Sequence, residues 1–330
     1  MKKSTLANGP ITQPEQRVKM SARFQTLGML PILILICAGF ALSSDRFMTF
    51  DNLSIVLQQA SVNTVLAAGM TFVLLTGGID LAVGSVVALV GMVILITSGT
   101  PGITAFAIPA GIVTGMLAGW LNGILVSRLD LPPFIVTLGS LTALRGIARL
   151  IGNDQTVFNA DLPFAVIGRG TVLGVPYLVI IAFLVVVVSW FVLRRTVFGM
   201  HVYAIGGSPK AAHVSGLKVK RLLLAVYVIS GGLAGLGGVM TTARLLAANG
   251  SQMGQGYELD AIAAAILGGI SFSGGSGSIW GALVGALIIA VLSNGLILLG
   301  VSDIWQYIIK GVVIVVAVTI DRYRQKMIKA

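Results

Sequence analysis

Residues 194–221 read RRTVFGMHVYAIGGSPKAAHVSGLKVKR, a polar stretch between two apolar runs. Each flanking run is long enough to cross a bilayer. The stretch carries Arg194, Arg195, Lys210, Lys218, Lys220 and Arg221 and no acid. Positive charge at that density between two spans puts the loop on the cytoplasmic side. Its centre is punctuated as a short helix over 209–215. Ser208 is suited to cap it, Pro209 to occupy its first position and Gly216 to end it. A helix of about seven residues is not stable alone in water, so it needs a surface to pack against. The stretch therefore reads as a docking element rather than a plain cytoplasmic loop.

The rest of the composition agrees with a membrane setting. The chain has 330 residues, a mean hydropathy of +0.98 and only 10% charged residues, a balance that belongs to a polytopic membrane protein and not to a soluble globule. The formal net charge is +11. In a soluble protein that would suggest nucleic acid; here the basic residues cluster at span ends and act as topology signals. The single cysteine, Cys37, excludes an intrachain disulfide and a thiolate metal cluster. The first apolar run follows a long polar leader, so it reads as a retained anchor and not a cleaved signal.

Taken in order, residues 1–26 form a basic cytoplasmic leader. Apolar runs at 27–42, 53–76, the stretch from about 81 to 98, 103–126, 131–151, 172–193, 222–243, 261–270, 279–299 and 304–320 predict an all-α membrane domain spanning 27–320, with about ten transmembrane helices. Eight is the alternative, because the runs at 131–151 and 261–270 are the weakest. The run at 261–270 is too short to span alone. The glycine-rich stretch 268–281 after it is either a break within a bent span or a cytoplasmic turn. Residues 321–330 form a basic tail. Most of the 22 basic residues lie in the leader, at Arg128, in the 194–221 loop and in the tail, so both termini are expected inside.

Within the runs, Gly111, Gly115, Gly119 and Gly123 recur every four residues and so share one helix face. Small faces let helix backbones approach closely in lipid, and this one predicts packing without any chemistry. A second glycine-rich face follows at 231–238. Asp80 is an acid at the edge of continuous apolar sequence. It reads first as a cap at the tight turn Gly77-Gly78-Ile79-Asp80, and second as a gating acid facing the bundle interior. Arg145 and Arg149 stand one turn apart. They read as interfacial anchors before polar-path residues. Lys310 sits inside the last run below Trp305 and Tyr307, placed to snorkel or to pair with an acid. Asp80, Arg145 and Lys310 are therefore the candidates for a pore or gate. Asp154, Asp161, Glu258 and Asp260 fall on expected outer loops and are candidates for contact with an extracytoplasmic partner. GGIDLAVGS (77–85) faintly echoes GGISFSGGSGS (268–278), which hints at related halves.

Several chemistries are excluded. No Gly-Lys dipeptide is present, so the chain has no P-loop; it lacks HExxH and GxSxG as well. His201 and His213 both lie in the polar loop and suggest no metal site. No cofactor and no enzymatic role are expected. No chain of buried acids of the kind used by proton-coupled carriers is evident, so energy for pumping has to come from another polypeptide.

The segment FGMHVYAIGGSPKAAHVSGL (198–217) resembles the coupling loop of membrane permeases in ABC sugar importers of the ribose, galactose and arabinose type. The resemblance returns at TGGIDLAVGS (76–85), YELDAIAAAILGG (257–269) and IWQYIIKGVVIVVAV (304–318), and it covers nearly the whole chain. The family usually has Asn after the paired glycines where this chain has Ser208; both residues cap helices. The resemblance implies that Gly199, Ala204, Gly207, Ser208, Pro209, Ala211, Ala212 and Gly216 contact a separate ATPase subunit. It also implies a second permease copy and a periplasmic sugar-binding protein that selects the sugar, all in the lipid of a bacterial inner membrane and without nucleic acid. The expected cargo is a monosaccharide, ribose or another pentose or hexose. Two alternatives stand beside it. One is the same machine carrying another small polar solute, such as autoinducer-2 or a nucleoside. The other is an ATP-independent carrier or channel.

Overall fold

The computed structural model describes residues 14–329, with side chains described within 29–319. Helix α1 (Pro14–Ser43) includes the second half of the expected leader; residues 1–13 lie outside the described residues. Helix α2 (Phe50–Leu75) starts where Thr49 caps it, its hydroxyl accepting from the Asn52 N–H at 3.4 Å. Asp51 in the first turn complements the helix dipole. Then follow α3 (Val83–Gly99), α4 (Ala107–Ser127) and α5 (Pro133–Ile151), the last with proline at its first position. The expected loop at 152–176 folds as strand β1 (Thr156–Phe158), the short helix α6 (Ala165–Arg169) and a tight hairpin of β2 (Thr171–Val172) and β3 (Val175–Pro176). Helix α7 (Tyr177–Arg195) leads to α8 (Val197–Gly207) and α9 (Pro209–Val214). Beyond them run α10 (Val219–Leu245), strand β4 (Ala247–Asn249), α11 (Tyr257–Leu267), α12 (Ile279–Leu298) and α13 (Asp303–Lys329).

Six helices are long and apolar enough to cross a membrane: α2, α4 (counted with the 3-10 turn before it), α5, α7, α10 and α12. Segments 29–43, α3 and α8 are shorter apolar helices. The chain is therefore a multi-pass helical membrane protein, and length and composition identify six spans among the described residues.

The buried centre is built from α2, α3 and α10 with α11 and α12 beside them. The glycine ladder of α4 lies against α10 within the same chain. A Cβ at Gly115 would strike the Gly231 carbonyl and the Gly235 backbone; one at Gly119 would strike Tyr227 and Gly231. Glycines thus face glycines, and the two backbones come together as only small residues allow. The same device joins α11 to α12, where Gly281 and Gly285 meet the backbones of Gly268 and Ala264. Between α2 and α12, Asn52 and Asn294 exchange reciprocal amide hydrogen bonds at 3.0 and 2.9 Å. Asn52 also donates to the Phe47 carbonyl at 2.9 Å, so the buried amides find their partners within the bundle.

The connections sort to two ends. At one end β1 pairs antiparallel with β4, Val157 opposite Ala248. At the other, the turn after α2, the α8–α9 segment and residues 268–278 meet. The stretch 268–278 is thus a turn, with positive φ at Gly269, Gly274, Gly275 and Gly277. Irregular backbone also precedes α11, where Met253 and Gly254 are buried. Non-helical chain at such a position persists only when protein covers it.

Candidate functional site

The α8–α9 corner follows from local chemistry. Thr196 caps α8, its hydroxyl accepting from the Gly199 N–H at 3.3 Å. Ser208 ends α8 and caps α9, its hydroxyl accepting from the Ala211 N–H at 3.2 Å. Gly216 takes φ +82° where the chain leaves α9, and the Leu217 N–H returns to the Ala212 carbonyl at 3.1 Å. Of the residues that the coupling-loop resemblance singled out, Ala204, Gly207, Ser208, Pro209, Ala211 and Gly216 are exposed. Ala212 is only 5% exposed and Gly199 is buried against the Leu193 backbone. Those two fix the corner from inside, and the expectation that Ala212 offers itself to an outside surface gives way to Ala211 and to Val214, which is 81% exposed. Val197, Met200 and Ala204 extend this face along α8 at spacings of three and four.

The corner is tied into the bundle through backbone. The Tyr203 hydroxyl donates to the Gly277 carbonyl at 3.0 Å, and the Gly275 N–H donates to the Leu75 carbonyl at 3.0 Å. A Cβ at Gly206 would land on the Leu75 carbonyl and the Gly275 N–H; one at Gly274 would meet Gly77 and Gly206. Three chain segments therefore converge on glycine: the end of α2, the end of α8 and the 268–278 turn. The two stretches that echo each other in sequence, 77–85 and 268–278, meet here. Arg194 covers the Tyr203 ring at 5.5 Å, a cation–π contact from the last turn of α7.

Asp80 is 2% exposed and divides its carboxylate between two elements. One oxygen accepts from the Ala82 N–H at 3.1 Å just before α3, and the other accepts from the Ser230 hydroxyl of α10 at 2.8 Å. Beside it, the Ile79 carbonyl accepts from Tyr227 at 3.2 Å and from Thr137 at 3.3 Å. The N-cap of α3 is Ala82, without a side-chain capping bond, so Asp80 is not the helix cap the sequence suggested: it holds the turn before α3 and braces that turn to α10.

The other charged candidates gather around α11. Lys310 donates to Asp260 at 3.0 Å, and Asp260 is 8% exposed. Arg145 donates to the backbone carbonyls of Gly250 and Met253 in the irregular segment before α11. Glu258 is half-buried against Gly84, between the fields of Arg145 and Asp260. The outer-loop position expected for Glu258 and Asp260 is therefore corrected: both lie in the first turn of α11, turned into the bundle, where two basic residues from α5 and α13 flank them. Arg145 is not a free interfacial anchor, since the backbone carbonyls hold its guanidinium. Arg149 does reach an exposed end, where it grips Asp154 with two hydrogen bonds of 2.8 and 2.7 Å. Those bonds, reinforced by the charge, hold the Asp154 carboxyl below the usual carboxylate range. Asp154 and Asp161 are exposed, as loop residues.

Sequence reasoning missed Tyr203, Gly206 and Ser230, and left the 268–281 stretch open between a break and a turn. The adjacent glycines were the available signal, since paired glycines at 77–78, 206–207 and 274–275 mark three segments that need close backbone approach.

A bundle of apolar helices, braced by buried polar pairs and carrying a capped helical corner on one end, defines a multi-pass membrane protein. The chain belongs to the family described as the branched-chain amino acid transport system / permease component, whose model matches residues 52–318. Its curated relatives include the ribose import permease protein of Bacillus subtilis, 41% identical over 93% of this chain and 96% of that protein. The ribose import permease protein of Escherichia coli K12 is 43% identical over 90% of this chain and 93% of its own. The D-allose transport system permease protein of the same bacterium is 40% identical over 91% and 92%. No solved structure matches the chain.

Proposed function

We propose that this chain is the membrane permease of an ATP-driven bacterial importer for a monosaccharide, with ribose the first candidate. ATP hydrolysis belongs to a separate ATPase subunit, and a periplasmic binding protein delivers the sugar to a pair of permeases. The observation that carries the reading is the α8–α9 corner: an exposed face of small and apolar residues on a basic loop, joined through glycine backbones to the turns of the bundle. The names of the relatives support a sugar as cargo. The count of about ten spans adds the segment 29–43, α3, α11 with its irregular flanks, and α13 to the six long helices. With that count both termini, the corner and the turns at 76–82 and 268–278 are cytoplasmic, in agreement with the distribution of Lys and Arg. The domains are then a cytoplasmic leader over 1–26, the permease over 27–320 and a basic tail over 321–330. Asp154 and Asp161 remain candidates for contact with the binding protein.

The test is reconstitution of the chain in liposomes with its partner ATPase and binding protein. Ribose uptake should require all three components and ATP. Uptake by the chain alone would instead make it an ATP-independent carrier. Ala211→Arg sharpens the test, because Ala211 is exposed beside buried Ala212 and a charged side chain there opposes docking without entering the bundle. Co-purification of the ATPase and its stimulation by loaded binding protein should both fall by about tenfold or more, the equivalent of ~1.4 kcal/mol of docking energy. Retention of both would remove the corner from the interface.

A further inference from the structure

Between α11 and α13 lies a cavity of about 210 Å³ whose lining includes Gln255, Tyr257, Asp260, Gln306, Tyr307 and Lys310, with Leu259, Gly256 and Gly311 in the wall as well. Lys310 stands seven residues into α13, about 10 Å along the helix at 1.5 Å per residue. We infer that this cavity is a transit subsite for a neutral polyhydroxylated ring, and so a place where the imported monosaccharide is held between delivery and release. The inference rests on the reading of the chain as a monosaccharide importer.

The chemistry of the walls selects the ligand class. Lys310 and Asp260 neutralise each other at 3.0 Å, so the cavity offers no surplus charge to an ion. An anion would face Asp260 and, behind it, Glu258; a cation would face Lys310. An apolar solute would cover the remaining lone pairs and protons of the ion pair and the amides without replacing their water, which costs free energy. Hydroxyl groups both donate and accept, and so do the glutamine amides. A carboxylate has spare lone pairs after one ammonium contact, and the ammonium has protons left for oxygens. The rings of Tyr257 and Tyr307 add apolar surface beside these groups, suited to the C–H face of a sugar. The volume is below the ~300–1,000 Å³ of pockets that enclose drug-sized ligands, which suits a single small ring.

The same features make the site weak. Lys310 and Asp260 are already paired, so a sugar replaces water at their outer lone pairs and protons and relieves no bare charge. Passage requires binding that is favourable enough to enter and weak enough to leave. Ionisable groups in a membrane bundle usually mark a solute path, and here one acid of α11, Asp260, and one basic residue of α13, Lys310, stand in the lining.

Gly311 provides the decisive variant. Gly311 lines the cavity and a Cβ built there meets nothing within 4 Å, so Gly311→Leu adds bulk at the cavity wall without striking the bundle, and Gly311→Ala serves as its mild counterpart. Gln255 is exposed at the rim, and Gln255→Leu removes hydrogen-bonding capacity there. The assay is uptake of radiolabelled ribose by liposomes holding the complete transporter, measured beside ATP hydrolysis stimulated by the binding protein. Gly311→Leu should lower sugar carried per ATP by about tenfold or more, the scale of one or two lost hydrogen bonds, with stimulated hydrolysis retained. It should exclude a hexose more strongly than a pentose, and Gly311→Ala should stay near wild type. Gln255→Leu should lower uptake in the same direction, and decides the matter if Gly311→Leu does not assemble. Wild-type sugar-to-ATP ratios in the leucine variants would overturn the subsite. Wild-type transporter that carries no monosaccharide at all would overturn the importer reading instead.

Discussion

Asp80 commits each carboxylate oxygen to a different element, one to the Ala82 N–H and one to Ser230 of α10. Removing the carboxylate leaves a buried hydroxyl and a buried N–H without their acceptor, and each such loss costs about 1–3 kcal/mol. Asp80→Ala should therefore lower the thermal midpoint of the detergent-solubilised protein by several degrees. Asp80→Asn should recover most of it, since the amide oxygen accepts from Ala82 and its NH2 group donates to the Ser230 oxygen. If Asn proves as damaging as Ala, the charge itself is needed and a gating role regains the ground. The turn role was legible because Asp after a glycine pair is a local turn pattern, but the helix cap itself falls at Ala82 and takes no side chain. Ser230 was not legible, because it lies 150 residues away and nothing in a serine announces its partner. Ala212 teaches the same limit. A small residue in a docking helix leaves room for a neighbour, but the sequence does not say whether the neighbour is inside or outside the chain, and here it is inside.

At the scale of elements, the glycine ladder was readable as a face and unreadable as an interface. Spacing of four fixes the shared side of α4, but the partner could have been another copy. The partner is α10, whose Gly231 and Gly235 lie opposite Gly115 and Gly119. Gly115→Leu must push those backbones apart, and overpacking of this kind typically costs about 1–3 kcal/mol. The expected result is a lower thermal midpoint and reduced yield of monomeric permease in detergent, with Gly231→Leu giving the same phenotype. A variant that is monodisperse and fully stable would mean that α4 and α10 are not in contact in the membrane. The boundaries of α11 were less legible than the ladder. Its helical part spans only Tyr257–Leu267, and the irregular segments on both sides are held by tertiary partners: Arg145 on one side, and Leu75 with Gly206 on the other. Periodicity carries no trace of such contacts.

For the whole molecule, the distribution of Lys and Arg motivates the proposed orientation, and backbone contacts indicate what moves together. With Cys37 replaced by serine, a cysteine at Ser208 should resist a membrane-impermeant thiol reagent in intact cells, whereas one at Asp161 should react. Labelling at Ser208 would reverse the topology on which the docking reading stands. The faint echo between 77–85 and 268–278 becomes meaningful at this scale, because both stretches meet α8 at one point. That point has no slack: Gly206 leaves no space for a Cβ between the Leu75 carbonyl and the Gly275 N–H, and Tyr203 adds a hydrogen bond to Gly277. Interfaces packed this closely hold discrete arrangements and transmit small shifts as steps. A displacement of the α8–α9 corner must therefore carry the end of α2 and the 268–278 turn with it, and through that turn α11 and α12. Gly206→Ala forces these three backbones apart while leaving the exposed face of α9 untouched. Tyr203→Phe removes one tie worth about 0.5–1.5 kcal/mol. In the reconstituted transporter both variants should keep the ATPase bound. Sugar carried per ATP should drop by up to about tenfold for Tyr203→Phe, matching that energy, and by more for Gly206→Ala. Loss of the ATPase itself would make the junction a scaffold for docking, and an unchanged ratio in Gly206→Ala would show that the stroke passes through α7 or α10 alone.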